Sequence, residues 1–310
     1  GGVTDQLLKS GELASQGDES YLKEILEIEN RHLDAIEDLV ITKRQAKASV
    51  AIKKTLQELK NLLQGIYLLH ELSPRSLDLI ASFGERLSAF VISEHLSGYT
   101  RSACLDARKL IKTDENFGNA KVNFKETEFN IQNFFDNCKT LQVITGFIAS
   151  AENGETTTLG RGGSDYTAAI FGAALNAEEI EIWTDVNGIM TADPRKVKKA
   201  FSLEGISYQE AMEMSHFGAK VIHPPTMQPA MKKKIPIRIK NTMEPEFPGS
   251  IISEKASLLD SAIKGISSIS NIALLRLQGS GLIGVTGVSQ RLFGALAKEK
   301  INIILISQAS

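Results

Sequence analysis

The sequence predicts a layered α/β unit built on a largely parallel sheet, with a smaller α+β piece behind it. Three observations carry this expectation. Residues 19–40 and 43–69 place apolar side chains at helical spacing between charges, almost without Gly or Pro. From residue 141 to Ile239, short β-rich apolar runs alternate with helical stretches, the pattern of strands joined by crossover helices. After Pro245, Pro248 and Gly249 the pattern starts afresh, so 310 residues divide into one large and one small unit.

Taken in order, the helices over 19–40 and 43–69 are expected to pack on one face of the sheet. Residues 77–96 continue the helical pattern, interrupted at Gly84-Glu85, where a lone glutamate reads by default as a solvated surface group. Residues 141–148, Leu-Gln-Val-Ile-Thr-Gly-Phe-Ile, read as one buried strand. Residues 179–186 read as another, broken by Asp185 and followed by Asn187-Gly188 and Asp193-Pro194-Arg195. That strand delivers polar groups to its C-terminal end, where ligands sit in open α/β sheets. A plain turn is the other reading of Asp193-Pro194. In the small unit, 271–277 read as a strand, Gly279-Ser280-Gly281 as a turn, 289–299 as a helix and 301–306 as a further strand.

Composition excludes several classes of function. A net charge of −2 argues against a nucleic-acid partner, which needs concentrated basic surface. Lys232-Lys233-Lys234 is therefore read as a solvated helix end. The two cysteines, Cys104 and Cys138, lack metal-ligand spacing, so free thiols in a reducing cytoplasm are expected. No apolar run approaches the roughly 18 residues that would cross a bilayer.

The chemistry concentrates in residues 157–169, Thr-Thr-Leu-Gly-Arg-Gly-Gly-Ser-Asp-Tyr-Thr-Ala-Ala. Gly160, Gly162 and Gly163 let the backbone bring N–H groups close to a ligand. Ser164 or Asp165 is expected to cap the helix that follows, over 168–174, and its N-terminal end favours phosphate or carboxylate. An ordinary Gly-rich turn with an ordinary cap is the alternative. A third cluster, Phe217-Gly218-Ala219-Lys220-Val221-Ile222-His223-Pro224-Pro225, sets one lysine in an apolar segment, either paired with an anion or snorkelling to water.

Together, Gly-Arg-Gly-Gly-Ser-Asp-Tyr-Thr-Ala-Ala, Trp-Thr-Asp-Val-Asn-Gly-Ile-Met-Thr-Ala-Asp-Pro-Arg and Phe-Gly-Ala-Lys-Val-Ile-His-Pro resemble the aspartokinases of the amino acid kinase family. Residues 207–215 and Ile239-Lys240-Asn241-Thr242 resemble most the kinase part of a bifunctional aspartokinase–homoserine dehydrogenase. The resemblance implies an αβα amino-acid-kinase catalytic domain over 1–254 and a partial ACT-like regulatory domain over 265–310. It implies transfer of the ATP γ-phosphoryl group, with Mg2+, to the side-chain carboxylate of L-aspartate. An aspartate with a reference pKa near 3.9 needs no base, so such a site aligns and neutralises rather than removing protons.

By resemblance, Arg161 grips the substrate α-carboxylate and Glu85 receives its α-ammonium, while Thr4, Phe147, Gly162, Gly163, Ser164 and Asp165 line the same pocket, Asp165 organising the catalytic groups. Thr184, Asp185, Met190, Pro194, Arg195 and Lys220 fall around the nucleotide, with Lys220 also catalytic and Met190 standing where an aromatic residue is common. No protein metal ligand is assigned. The family's Lys-Phe-Gly-Gly-Thr-Ser strand is not found in these residues. The expectation is a fragment of low activity, down about three orders of magnitude.

The ACT-like part implies a homo-oligomer and an amino-acid effector, threonine or lysine, or a purely dimerising role. Ile304, where lysine-sensitive members carry an acid, favours threonine or no effector. Rival readings are a kinase of the same fold acting on glutamate, acetylglutamate, carbamate or a nucleotide monophosphate, and a non-catalytic regulatory subunit.

Overall fold

The computed structural model describes residues 2–216, 222–255, 263–270, 272–278 and 286–307. The chain divides into two compact units, Gly1–Ser268 and Ile269–Ser310.

The first unit opens with four helices, α1 (Val3–Ser15), α2 (Tyr21–Leu39), α3 (Thr42–Leu69) and α4 (Pro74–Leu96). The apolar stripes that announced α2 and α3 close on each other. Leu7, Ile25, Ile28, Ile36, Ile52, Leu59, Leu63, Ile80 and Leu87 form a core of their own. This departs from the expectation that these helices cover a sheet: α2 and α3 pack on α1 and α4, and it is α4 that also lies on strands. Ion pairs stitch the bundle, Lys9 to Glu24 at 2.6 Å and Arg44 to Glu94 at 2.9 Å. The helix is unbroken at Gly84-Glu85. Gly84 leaves room there for Leu7, whose Cδ1 would stand 3.3 Å from a Cβ.

The rest of the unit is α/β. Strands β1 (Ser102–Leu105), β2 (Lys112–Thr113), β3 (Leu141–Ile144), β4 (Ile148–Ala151) and β5 (Thr156–Thr158) come first, with helix α5 (Phe124–Phe135) between β2 and β3. Helix α6 (Gly163–Ala174) leads to β6 (Ile180–Thr184), then β7 (Gly205–Ser207), α7 (Tyr208–His216), α8 (Pro224–Lys233), β8 (Ile237–Asn241) and β9 (Ser250–Ser253). Pairing gives β1-β3, β2-β4-β5 and β6-β8-β9-β7. Among the described residues the pairings are parallel except β4 with β5 and β8 with β9.

The predicted strand over 141–148 is two strands, because the chain turns sharply at Gly146-Phe147 and β3 and β4 join different sheets. α6 lies between two apolar cores. Ala169 joins the one built from Ile180, Ile182, Ile206, Met227, Ile237 and Ile252. Ile170, Phe171 and Ala174 join the other, with Leu105, Ile111 and Ile131.

In the second unit, α9 (Val288–Lys298) fits the helix expected over 289–299. Lys300 at φ 55° ends it, and the Ile301 N–H returns to the Leu296 carbonyl at 2.9 Å. The strands expected over 271–277 and 301–306 are not formed among the described residues 272–277 and 301–306. A strand exists through its ladder partner, and these segments have none there; Leu274 and Leu305 stand 95% and 80% exposed. Asn271 and the turn expected at Gly279-Ser280-Gly281 lie outside the described residues.

Candidate active site

The candidate site is built on a corner and a helix start. At Phe147 the backbone takes φ 67°, left-handed and unusual for a residue with a side chain. The conformation is held from both sides. The Phe147 N–H donates to Thr167 Oγ1 at 3.0 Å, and the Thr167 hydroxyl donates to the Gly163 carbonyl at 2.9 Å. The Leu159 N–H meets the Phe147 carbonyl at 2.9 Å. A Cβ on Gly163 would lie 2.6 Å from the Phe147 ring, so only glycine fits this contact.

Neither Ser164 nor Asp165 caps α6. The N-cap is Gly162, at φ 70° and without a side-chain cap. A left-handed glycine turns the chain into the helix two or three residues earlier than the side-chain-capping logic predicted, which puts Ser164 and Asp165 inside the first turn. Gly162 is confined as well, since a Cβ would come within 2.8 Å of His223 Cβ and 3.2 Å of Thr226 Cγ2. The start of α6 is thereby locked against the start of α8, while its own first-turn N–H groups have no partner within the helix.

Glu85 reaches this corner from α4. It shares a cavity wall with Gly146, and burial pushes its pKa up, opposed by the nearby Gly146 N–H. It is thus a half-buried acid rather than a solvated surface group. Gly146 in turn faces Ser164, whose Oγ would stand 2.9 Å from a Cβ there. Thr4 comes alongside from α1, with Oγ1 3.9 Å from a Cβ on Gly84. A cavity of about 460 Å³ opens between α4, β3 and α6, and Glu85, Ser88, Gly146, Ser164 and Thr167 contribute to its wall. Glu85, Phe147, Gly163 and Ser164 therefore converge around Gly146, while Thr4 is placed beside Gly84.

Charge around the turn is arranged unevenly. Asp165 has its pKa raised by burial, and among the described residues no donor rests on its carboxylate. Arg161 is exposed. Burial first, and the Arg161 charge second, hold His223 below the usual histidine range.

One residue that the sequence reading passed over supports the loop from behind. Asp78, 4% exposed on α4, accepts the Gly118 N–H at 2.9 Å, the Thr158 N–H at 2.8 Å and the Thr158 hydroxyl at 2.8 Å. Asn119 follows, with Oδ1 2.7 Å from a Cβ on Gly160. Asp78 so holds Thr158, at the entry to the glycine turn, and the Gly118-Asn119 segment beside Gly160. A carboxylate on an amphipathic helix reads as a solvated group, and only its partners reveal otherwise.

The second group of predicted residues stands at the end of β6. The Thr184 hydroxyl donates to Asp185 at 3.1 Å, and Thr184 accepts the Thr242 N–H at 2.8 Å. Beyond them, Met190 takes a hydrogen bond on sulfur from Ser202 at 3.2 Å. Arg195 chelates Asp193 at 3.0 and 2.9 Å, an arrangement that holds the Asp193 carboxyl down at about 2, with Pro194 between them. Among the described residues Asp185 bonds to Thr184 rather than to the α6 turn. Lys220 lies outside the described residues.

With this arrangement in view, residues 1–241 match the amino acid kinase family and residues 275–310 an ACT domain. The chain belongs to the amino acid kinase family. Within it, the chain is similar to aspartokinases. It is 35% identical over 316 residues to bifunctional aspartokinase/homoserine dehydrogenase 1, chloroplastic, of Zea mays, covering 99% of this chain and 34% of the relative. The bifunctional enzyme of Buchnera aphidicola is 40% identical over 261 residues, 84% of this chain and 32% of the relative. The chain thus spans about a third of these relatives. Among solved structures, Escherichia coli aspartokinase III in complex with aspartate and ADP aligns over 100% of this chain and 68% of its own, with a TM-score of 0.82 at 30% identity. As a member of the amino acid kinase family the chain carries the expected α/β fold with mostly parallel sheets. Among the described residues no helix is long and apolar enough to cross a membrane.

Proposed function

We propose that this chain is the aspartate kinase part of a larger protein, moving the ATP γ-phosphoryl group onto the side-chain carboxylate of L-aspartate. Residues 1–254 serve as the catalytic domain and 265–310 as a partial ACT-like regulatory domain. The observation that carries the reading is the convergence of Glu85 and the first turn of α6 on Gly146. A half-buried acid stands there against the positive end of a helix, which suits a zwitterion with an ammonium at one end and a carboxylate at the other.

In this reading Glu85 takes the α-ammonium, whose charge offsets the burial that raises the acid's pKa. Arg161 clamps the α-carboxylate with its guanidinium. Thr4, Phe147, Gly162, Gly163 and Ser164 complete the pocket, and the acceptor carboxylate is left facing the nucleotide. Thr184, Asp185, Met190, Pro194, Arg195 and Lys220 form the nucleotide side, with Lys220 and Asp165 the catalytic pair. Asp165 is already desolvated and without a protein donor among the described residues. That suits a carboxylate kept to orient cationic partners. Mg2+ supplies charge neutralisation on the phosphate oxygens. The reading assigns the ion to the phosphates and names no protein ligand for it. Threonine is the proposed effector and the cytoplasm the proposed site of action.

The test is an acceptor panel on the parent protein with ATP and Mg2+, scoring ADP release and hydroxamate trapping of the acyl phosphate. Aspartate is expected to outrun glutamate, acetylglutamate, carbamate and UMP by at least 100-fold. Equal rates, or another acceptor in front, would overturn the reading.

A further inference from the structure

We infer that residues 263–268 form a strap whose task is to position the loop between β6 and β7, with Lys264 as its positioning residue. The inference rests on the reading that this loop, which carries Met190, Pro194 and Arg195, serves the nucleotide. Past β6 the loop is a long excursion with little secondary structure, from 185 to 204. It is tied within itself, Thr191 N–H to the Phe201 carbonyl at 2.9 Å and Leu203 N–H to the Ile189 carbonyl at 2.8 Å. Its base is held by Ser250, whose Oγ accepts the Ile189 N–H at 2.8 Å.

Its far side is held by the strap. The Ile266 N–H donates to the Thr191 carbonyl at 2.8 Å. Gly265 presses on the same carbonyl and on Met214 of α7, since a Cβ there would stand 3.2 Å from Thr191 O and 2.7 Å from Met214 Cε. Lys196 donates to Ser268 Oγ at 2.8 Å. Lys264, 14% exposed in its side chain, pairs with Glu210 at 3.0 Å.

Glu210 is itself the closing member of a capping box on α7. Its carboxylate accepts the Ser207 N–H at 2.9 Å and the Ser207 hydroxyl at 2.8 Å, and Ser207 Oγ accepts the Glu210 N–H at 3.2 Å. Lys264 thus anchors the strap on a rigid helix start, and two residues later Ile266 delivers its N–H to the loop. A nearly buried ammonium on a carboxylate that already holds two other donors is a poor way to decorate a surface and a good way to fix a register.

The test uses the full-length parent protein with Lys264→Met, Lys264→Arg and Ile266→Pro, the last deleting the N–H donated to Thr191. Hydrogen–deuterium exchange of residues 189–203 is read beside the ADP dissociation constant and the KM for aspartate. Met and Pro variants are expected to exchange about tenfold faster in that loop and to bind ADP about five- to twenty-fold more weakly, with aspartate KM unchanged and Arg restoring both. Circular dichroism and Tm check folding of each variant, and the Arg variant keeps the test decisive should Ile266→Pro unfold. Unchanged exchange in Lys264→Met refutes the strap. Faster exchange with unchanged ADP affinity leaves the strap standing and refutes the nucleotide role of the loop.

Discussion

Asp78 offers the sharpest quantitative test, because its whole effect runs through three hydrogen bonds. Removing the carboxylate in Asp78→Ala takes away the acceptor for the Gly118 N–H, the Thr158 N–H and the Thr158 hydroxyl. The hydroxyl can rotate to a new partner, but the two backbone donors cannot. A hydrogen bond to a charged acceptor contributes about 1.5–3 kcal/mol and an orphaned buried donor costs about 1–3 kcal/mol. Non-additivity keeps the total below the sum, at about 3–5 kcal/mol, a large share of the 5–15 kcal/mol typical of a domain. Urea unfolding followed by circular dichroism measures it, with Asp78→Asn expected to recover about half through its amide oxygen. Because the same bonds hold Gly118-Asn119 beside Gly160, the soluble Asn variant is also expected to raise the aspartate KM about tenfold with a smaller fall in kcat. A loss under 1 kcal/mol in the alanine variant would show that the loop does not depend on this acid.

Further outcomes are expected around the same corner. In the proposed reading Glu85→Gln removes the charge assigned to the ammonium and should lower kcat/KM for aspartate about 30- to 100-fold; in the wild type, aspartate KM should climb on acidification from a higher pH than an unperturbed glutamate would give, since burial raises this acid. Asp165 also has its folded pKa raised by burial, so its ionised form is a burden on the native state above that pKa, and the burden disappears below the ordinary aspartate value. Asp165→Asn should therefore raise Tm at pH 7, lose the gain as pH falls towards 4, and abolish turnover; a lower Tm at pH 7 would contradict the assignment. Gly162→Ala must hold φ 70° and crowd His223, and about 2–4 kcal/mol of destabilisation is expected in urea melts.

How much of this was legible beforehand depended on whether the physics was local. α2 and α3 lie within a few residues of the expected ranges because their apolar spacing is a property of the segment itself. What their stripes would face was not legible, since a stripe specifies burial without naming its partner, and here it chose other helices. The break at Gly146-Phe147 stayed hidden because a non-glycine residue takes the left-handed turn, held there by Thr167 from another element. The capping of α6 was misplaced because serine and aspartate are good caps in isolation, whereas Gly162 won through contact with His223. Glu85 was placed in the site by resemblance rather than by pattern. Asp78 and Lys264 gave no signal, because each owes its importance to partners far along the chain.

α6 borrows side chains from two separate interiors, Ala169 facing one and Ile170, Phe171 and Ala174 the other. A wedge gripped on both flanks cannot settle into either side without dragging its tip. Changing the size of Ile180 or Ile131, neither of them in the candidate site, is expected to reach the glycine turn through α6. Adaptive changes in substrate preference should therefore surface deep in these interiors as readily as at the mouth of the cleft.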